Sequence, residues 1–249
     1  ITRDIATALT RKKDYNFYTM KKVITLMLVA AATTLGFSQQ VKFGVKGGVN
    51  VTDLNGAENG LMNGVNTLNV GFNVGAFVEY KVQDKLYVQP ELQLSTQGAS
   101  SDHYGYDGYS NTEKRVNLTY LNLPVMVKYE VANKLKLEVG PQFGYALAGN
   151  VKYDETGASY NVSLKQNLFK KETQVVPTTI QGNTTGNTTI TTPQYAQRFD
   201  FGLNFGFSYD LSSDVFLQAR YNLGLTNISK IQGEKVYNRG VQVGLGYKF

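Results

Sequence analysis

Apolar and polar residues alternate along most of this chain with a period of two, most regularly over residues 116–147, VNLTYLNLPVMVKYEVANKLKLEVGPQFGYAL. Leu121, Leu123, Val125, Val127 and Tyr129 share one face, and Asn122, Pro124, Met126, Lys128 and Glu130 share the other. After a short turn at 131–134, Leu135, Leu137, Val139, Phe143, Tyr145 and Leu147 alternate with Lys136, Glu138, Gly140, Gln142, Gly144 and Ala146. Alternation of this kind places side chains on the two sides of a β-strand. Both segments are longer than the mean strand of a soluble domain, roughly 5–6 residues. Long antiparallel strands, apolar on one face and charged or small on the other, are what a transmembrane β-barrel requires.

The same pattern recurs along the chain and predicts eight strands. The first alternates Val41, Phe43, Val45, Val49 and Val51 with Lys42, Gly44, Lys46, Gly48 and Asn50. The second sets Val70, Phe72, Val74, Ala76, Val78 and Tyr80 against Asn69, Asn73, Gly75, Phe77 and Glu79. The third opposes Leu86, Val88, Pro90, Leu92 and Leu94 to Tyr87, Gln89, Glu91, Gln93 and Ser95. The 116–147 hairpin supplies the fourth and fifth. The sixth carries Phe199, Phe201, Leu203, Phe205, Phe207 and Tyr209 opposite Arg198, Asp200 and small or polar residues. The seventh pairs Val215, Leu217, Ala219, Tyr221 and Leu223 with Phe216, Gln218, Arg220 and Asn222. The eighth alternates Val241, Val243, Leu245, Tyr247 and Phe249 with Gln242, Gly244, Gly246 and Lys248.

Connections alternate as well. Long loops are expected at 52–67, 98–114, 149–195 and 227–238, and short turns near 83–84, 131–134 and 212–213. Long extracellular loops and short periplasmic turns alternate in this way around an up-and-down outer-membrane barrel. The longest loop includes TTIQGNTTGNTTITTP, too polar to form a core; its alternating parts are expected to extend the flanking strands as a hairpin above the membrane. Tyr80, Tyr129, Tyr209 and Tyr247 each end an even strand on the apolar face, which predicts a periplasmic aromatic girdle. Pro90, Pro124 and Pro141 lie inside strands, where proline removes a ladder hydrogen bond, so bulges or loosened pairing are expected there.

The alternation would also suit a soluble lipocalin-like barrel with its apolar face turned inward. That inversion packs a Leu-, Val- and aromatic-rich face into a narrow interior, whereas the opposite face has the Gly, Asn, Gln and paired charges of a small filled lumen. A slip of one residue would push Lys or Arg into lipid at ~2–4 kcal/mol each near midplane. The membrane orientation is therefore preferred.

Composition refines this picture. The chain of 249 residues has no Cys, which excludes a disulfide scaffold, a Cys-ligated zinc site and a lipidated Cys anchor. Residues 1–38 hold six of the 25 Lys/Arg and two of the 19 Asp/Glu, leaving 19 basic against 17 acidic in the remainder. The formal +6 of the whole chain is thus no nucleic-acid footprint, which would need a clustered basic face. Met20-Lys21-Lys22, an apolar run over 23–35 and Gly36-Phe37-Ser38 have the build of a cleaved signal peptide over 20–38. The apolar run is shorter than the ~20 residues of a spanning helix. Residues 1–19 are expected to be an upstream extension outside the mature fold, and 39–249 the barrel.

YLNLPVMVKYE, KLKLEVGPQFGYALAG, FDFGLNFGFSYDL, ARYNLGLTNI and the ending NRGVQVGLGYKF resemble the PorT-type outer membrane protein beta-barrel domain family, small eight-stranded Gram-negative barrels of OmpA- and OmpX-like architecture. The match is strong in strands three to eight and weak in the loops. These are scaffold motifs, specific for fold and poor for function. The resemblance implies outer-membrane lipid as surroundings, a role in the envelope or in protein secretion, and Phe249 as the signal read by the barrel-assembly machinery. A girdle aromatic explains Phe249 equally well.

Candidate chemistry is sparse. Ser101-Asp102-His103 is the one cluster suggestive of catalysis, but neighbours in an extended segment do not point at one another, and no second acid–His set exists. An enzyme is not expected. His103, Tyr104, Tyr106 and Tyr109 form a candidate recognition loop, since Tyr offers apolar area with a polar tip; a plain Gly/Tyr-rich surface loop is the simpler reading. Asp102, Asp107 and Glu113 lack a calcium-loop spacing, and neither metal nor cofactor is expected. Inside the barrel, Lys42, Lys46, Lys128, Lys136, Arg198 and Arg220 are expected to meet Glu79, Glu91, Glu138 and Asp200. Eight strands leave room only for side chains, which favours an ion-paired plug over a selectivity lining. The expected protein is a monomer, non-enzymatic, acting through extracellular loops; a secretion accessory and a narrow solute channel are the alternatives.

Overall fold

A computed structural model describes residues 41–56, 67–104, 111–157, 161–180 and 183–249. The leader 1–19 and the signal segment 20–38 lie outside the described residues.

The described chain is all β. Its strands are β1 (Val41–Asn55), β2 (Thr67–Gln83), β3 (Leu86–Tyr104), β4 (Asn111–Ala132), β5 (Leu135–Thr156), β6 (Asn161–Asn167), β7 (Glu172–Ile180), β8 (Asn183–Thr192), β9 (Phe199–Asp210), β10 (Val215–Gly224) and β11 (Tyr237–Lys248). The order β4-β3-β2-β1-β11-β10-β9-β5, together with a β4–β5 pairing, closes an antiparallel ring of eight. These eight coincide with the strands read from alternation. Closure pairs both edges of every ring strand, which backbone in a hydrocarbon environment demands.

Burial runs opposite to that of a water-soluble protein. Lys128, Glu91 and Arg220 are 1–2 % exposed, whereas Val70, Phe72, Leu137 and Val139 are 52–73 % exposed. The apolar face points outward on all eight strands, and a continuous belt of this kind is covered only by lipid. The face assignment made from alternation therefore holds, and the lipocalin-like inversion does not.

Several connections differ from expectation. β3 continues to Tyr104 and β4 begins at Asn111, so most of the 98–114 loop is strand. β5 runs on to Thr156 and pairs with β6, while β7 and β8 form a separate two-stranded sheet. The 149–195 segment is thus largely hairpin, and β5 running on into it is the extension of a flanking strand that its alternation predicts. Its Thr residues suit a strand better than their polarity suggested, because β-branched side chains favour extended backbone even where they bury little.

Proline does not produce bulges. The β3–β4 ladder passes from Pro90↔Val125 to Gln93↔Asn122 without a change of register, and β4–β5 passes likewise from Pro124↔Gln142 to Val127↔Val139. Pairing loosens there and the count is kept. Register shifts fall elsewhere, between Thr119 and Tyr120 on β4, between Leu68 and Asn73 on β2, and beside two of the tight turns. At those turns Lys85 and Lys134 take φ of 67° and 70°. A type I turn followed by a left-handed residue and a one-residue bulge is a common way to close a hairpin.

Candidate functional site: a filled lumen beneath projecting strands

The interior is stratified along the barrel axis. Nearest the tight turns lies a network of charges. Arg220 on β10 donates Nη1 and Nη2 to the two oxygens of Glu91 on β3 at 2.8 and 2.6 Å. It also gives Nε to Glu138 on β5 at 2.5 Å. Lys46 on β1 pairs with Glu91 at 2.5 Å and donates to Gln218 at 3.0 Å. Gln218 in turn donates to both oxygens of Glu138. Lys128 stands 3.5 Å from Glu138 and 3.6 Å from Glu79. Lys248 joins Glu79 at 3.4 Å and Asp210 at 2.8 Å, and Lys136 meets Asp210 at 2.8 Å.

These charges come from all eight ring strands and are inward because every second residue of each strand is inward. Burying them costs several kcal/mol per ion unless each is paired and hydrogen-bonded, and the bidentate Arg220 geometry supplies that pairing. Phe77 and Phe216 also point inward and stack edge to face at 5.6 Å. The Nζ atoms of Lys128 and Lys248 lie 5.0 and 5.1 Å from the Phe216 ring centre. The rings fit because Gly44 and Gly246 face them. A Cβ on Gly246 would come within 2.1 Å of the Phe216 ring.

Above the charges is a layer of amides. Asn73 donates to Asn50 at 2.5 Å and Asn50 to Ser95 at 2.9 Å. Across the barrel, Asn222 donates to Asn204 at 2.8 Å and Asn204 to Gln142 at 2.9 Å. A cavity of about 10 Å³ remains beside Lys46, Asn73, Gln218 and Gln242, space for about one water.

The mouth on the loop side is apolar. Leu54, Val116, Leu118, Val151, Leu168, Phe169, Ala196, Ile228 and Val236 form one buried cluster with Tyr195 against it. Backbone bonds draw the connecting segments over it: Leu168 N to Gly149 O at 3.1 Å, Ala196 N to Leu168 O at 2.9 Å, and Ile228 N to Val236 O at 2.9 Å. Gly149 gives Phe169 its place, since a Cβ there would sit 2.5 Å from the ring. Sequence reading missed this cap, because isolated apolar residues in polar segments carry no period. The Leu168-Phe169 pair was the available signal.

Three expected lumen charges stand apart from the network. Lys42 has inward parity but lies beyond Gly44↔Lys248, where the β1–β11 ladder begins, and is exposed. Arg198 precedes β9 and turns to the carbonyls of Ala146 and Leu147 at 2.6 and 3.0 Å, above Tyr145↔Phe199 where the β5–β9 ladder ends. Its guanidinium stacks on Phe169 at 4.4 Å. Asp200 is buried, but near the mouth, where Asn238 donates to it at 2.8 Å and to the Tyr120 hydroxyl at 3.1 Å. The basic side chains of the network sit nearer the turns, so Asp200 meets amide and phenol. Lys248 and Asp210, which complete the network, share inward parity with it.

Tyr80, Tyr129, Tyr209 and Tyr247 lie on the outward face near the turn end, each 39–51 % exposed. Phe249 is 75 % exposed, stacks on Tyr247 at 5.4 Å, and donates its N–H to Phe43 O at 2.8 Å. The backbone of His103 pairs with Thr112 and that of Tyr104 with Asn111; Tyr106 and Tyr109 lie outside the described residues, as do the side chains of His103 and Tyr104. Among the described residues no group of three or more His, Asp or Glu could hold a metal ion.

Residues 37–230 match a family model described as outer membrane protein beta-barrel domain. No curated protein matches the chain. Among solved structures it is similar to neisserial surface protein A, at 12 % identity over 83 % of this chain and 97 % of that one, TM-score 0.43. It is also similar to the attachment invasion locus protein Ail of Yersinia pestis, at 12 % identity over 84 % and 99 %, TM-score 0.40. The N-terminal barrel of Pseudomonas aeruginosa OprF gives 10 % identity over 84 % and 100 %, TM-score 0.36.

Proposed function

This chain belongs to the outer membrane protein beta-barrel domain family, and we propose that within the outer membrane it is a non-enzymatic monomeric scaffold holding a β-structured surface outside the cell. The observation that carries this reading is the contrast between a lumen filled by the Arg220–Glu91–Glu138 network and strands β3 to β6 that continue well past the apolar belt. Evolution of a channel would leave the interior open; evolution of a display scaffold rigidifies it and spends chain length on the outside. The reading includes export through a cleaved 20–38 segment, insertion by the barrel-assembly machinery through Phe249, and contact of the 98–114 and 149–195 regions with extracellular or envelope partners.

The test has two arms. Purified protein in a planar bilayer is expected to be electrically silent; sustained single-channel conductance would replace the scaffold reading with the narrow-channel one. In intact cells, a membrane-impermeant amine reagent is expected to label Lys165 and Lys170, which are exposed. Labelling only after lysis would put the projecting strands in the periplasm.

A second reading follows from the strand motifs YLNLPVMVKYE and KLKLEVGPQFGYALAG, which line β4 and β5: a PorT-type accessory of an outer-membrane secretion system. Loss of secreted proteins from the medium of a deletion strain, restored by the wild-type gene, would select it.

A further inference from the structure

Above the apolar belt, the outward face of β4, β5 and β6 is ordered in rows running across the three strands. Leu121 faces Tyr145, and Thr119 faces Ala148. Next comes an amide row, Asn117↔Asn150↔Asn167. Beyond it lies a basic row, Arg115↔Lys152↔Lys165, and beyond that Glu113↔Asp154↔Ser163. The outward parity is unbroken along β4, so this face is continuous with the wall that meets lipid.

The basic row is costly by itself. Like charges directly opposite one another in a sheet repel, and here three occupy consecutive strands at one level. Glu113 and Asp154 belong to the next outward row and do not interleave with them. Glu113 contacts Arg115, and Asp154 lies 2.7 Å from Lys152, but both acids sit on the side away from the membrane. Arg115 and Lys152 keep about half their side-chain surface exposed, and Lys165 is exposed. By contrast, Arg239, two residues beyond Val241 on the outward face of β11, is opposed in register by Asp53. Cations toward the bilayer and carboxylates away from it form an arrangement matched to an anionic layer below.

The height fits. Arg115 is four residues beyond Thr119, ~13 Å along a strand at ~3.3 Å per residue, and ~10 Å along the membrane normal for a strand tilted by ~40°. Long cationic side chains reach back toward the interface. We propose that Arg115, Lys152 and Lys165, with the Asn117–Asn150–Asn167 row beneath them, bind the phosphate headgroups of outer-leaflet lipid around the barrel. The same wall thereby meets acyl chains below and phosphates above.

The test uses the full barrel in phosphatidylcholine micelles doped with lipid A, with lipid retention read by native mass spectrometry. R115Q, K152Q and K165Q are each expected to lower lipid A retention about fivefold, the worth of one Lys or Arg near an anionic surface, and the triple variant to lose it. Wild-type protein is expected not to retain lipid A stripped of its phosphates. Equal retention by wild type and triple variant, or of intact and dephosphorylated lipid A, would overturn the proposal. So would binding of soluble heparin without retention of lipid A, which would make the row a site for an extracellular polyanion. If the triple variant shows no heat-modifiable folded band, the dephosphorylated comparison on wild type decides alone. None of these outcomes bears on the electrical silence of the lumen, so the scaffold reading stands or falls separately.

Discussion

Arg220 and Glu91 face each other across the lumen from β10 and β3, joined by two nearly parallel hydrogen bonds of 2.8 and 2.6 Å, with both side chains essentially inaccessible to solvent. The pair ties opposite walls of the barrel, and Glu138 extends it to β5 at 2.5 Å. Removing the guanidinium leaves Glu91 and Glu138 with only the partners supplied by Lys46, Lys128, Gln89 and Gln218. Arg220→Met is therefore expected to destabilise the barrel by ~3–5 kcal/mol, read as a lower urea midpoint for the heat-modifiable band. A midpoint equal to wild type would mean the network contributes nothing net.

Phe216 and Gly246 are fitted to each other. Gly246→Val pushes a side chain into the ring and is expected to cost ~1–3 kcal/mol by overpacking. Phe216→Ala empties the same space and is expected to cost ~3–5 kcal/mol. In the double variant the valine occupies part of the vacated volume, so the two costs should sum to more than the measured loss. Strict additivity in a double-mutant cycle would show that they do not share that space.

The apolar cap is a separate layer from the ionic plug. Phe169→Ala is expected to lower stability by ~3–5 kcal/mol and to raise hydrogen exchange at Leu168, Ala196 and Ile228, whose amides are bonded over the mouth. Conductance should stay absent, because the Arg220 network lies below. Current through this variant would identify the cap, not the ion pairs, as the barrier.

The β5–β6 hairpin outside the membrane should respond to acid before the barrel does. Asp154 accepts from Lys152 and from Ser163 at 2.6 Å, and these two bonds hold its carboxyl below the ordinary value of 3.8. A depressed carboxylate stabilises the fold above its unfolded pKa, and that contribution is lost as pH falls through the folded one. Amide exchange in β6 should rise as pH drops below 3.8, relative to intrinsic rates. In Asp154→Asn it should be raised already at neutral pH and change less on acidification.

Lys134 holds a left-handed backbone at φ 70° in the β4–β5 turn. A non-glycine residue there costs ~1–2 kcal/mol, while glycine adds unfolded-state entropy worth ~0.4–1 kcal/mol. Lys134→Gly should raise stability by about 0.5–1 kcal/mol, seen as a higher urea midpoint. A lower midpoint would mean that the lysine makes a contact worth more than its strain.

Sequence alone determined the eight ring strands, their directions and which face meets lipid. Side-chain alternation is local and survives any error in the loops, and a one-residue slip would bury Lys or Arg in hydrocarbon, so the pattern admits a single phase. Parity likewise placed Lys46, Glu79, Glu91, Lys128, Lys136, Glu138 and Arg220 inside. Parity says nothing of height, however. Only the closed ring set Lys42 outside the last pair, carried Asp200 to an amide layer near the mouth, turned Arg198 to the carbonyls of Ala146 and Leu147, and brought Lys248 and Asp210 into the network. Nor could a period reveal the cap, since Leu168, Phe169, Ile228 and Val236 come from separate connections and meet only once the walls are in place. The basic row of Arg115, Lys152 and Lys165 belongs to the same class. Three residues distant in sequence become one feature through the register of adjacent strands, and register is fixed by the hydrogen-bonded ladder of the folded sheet.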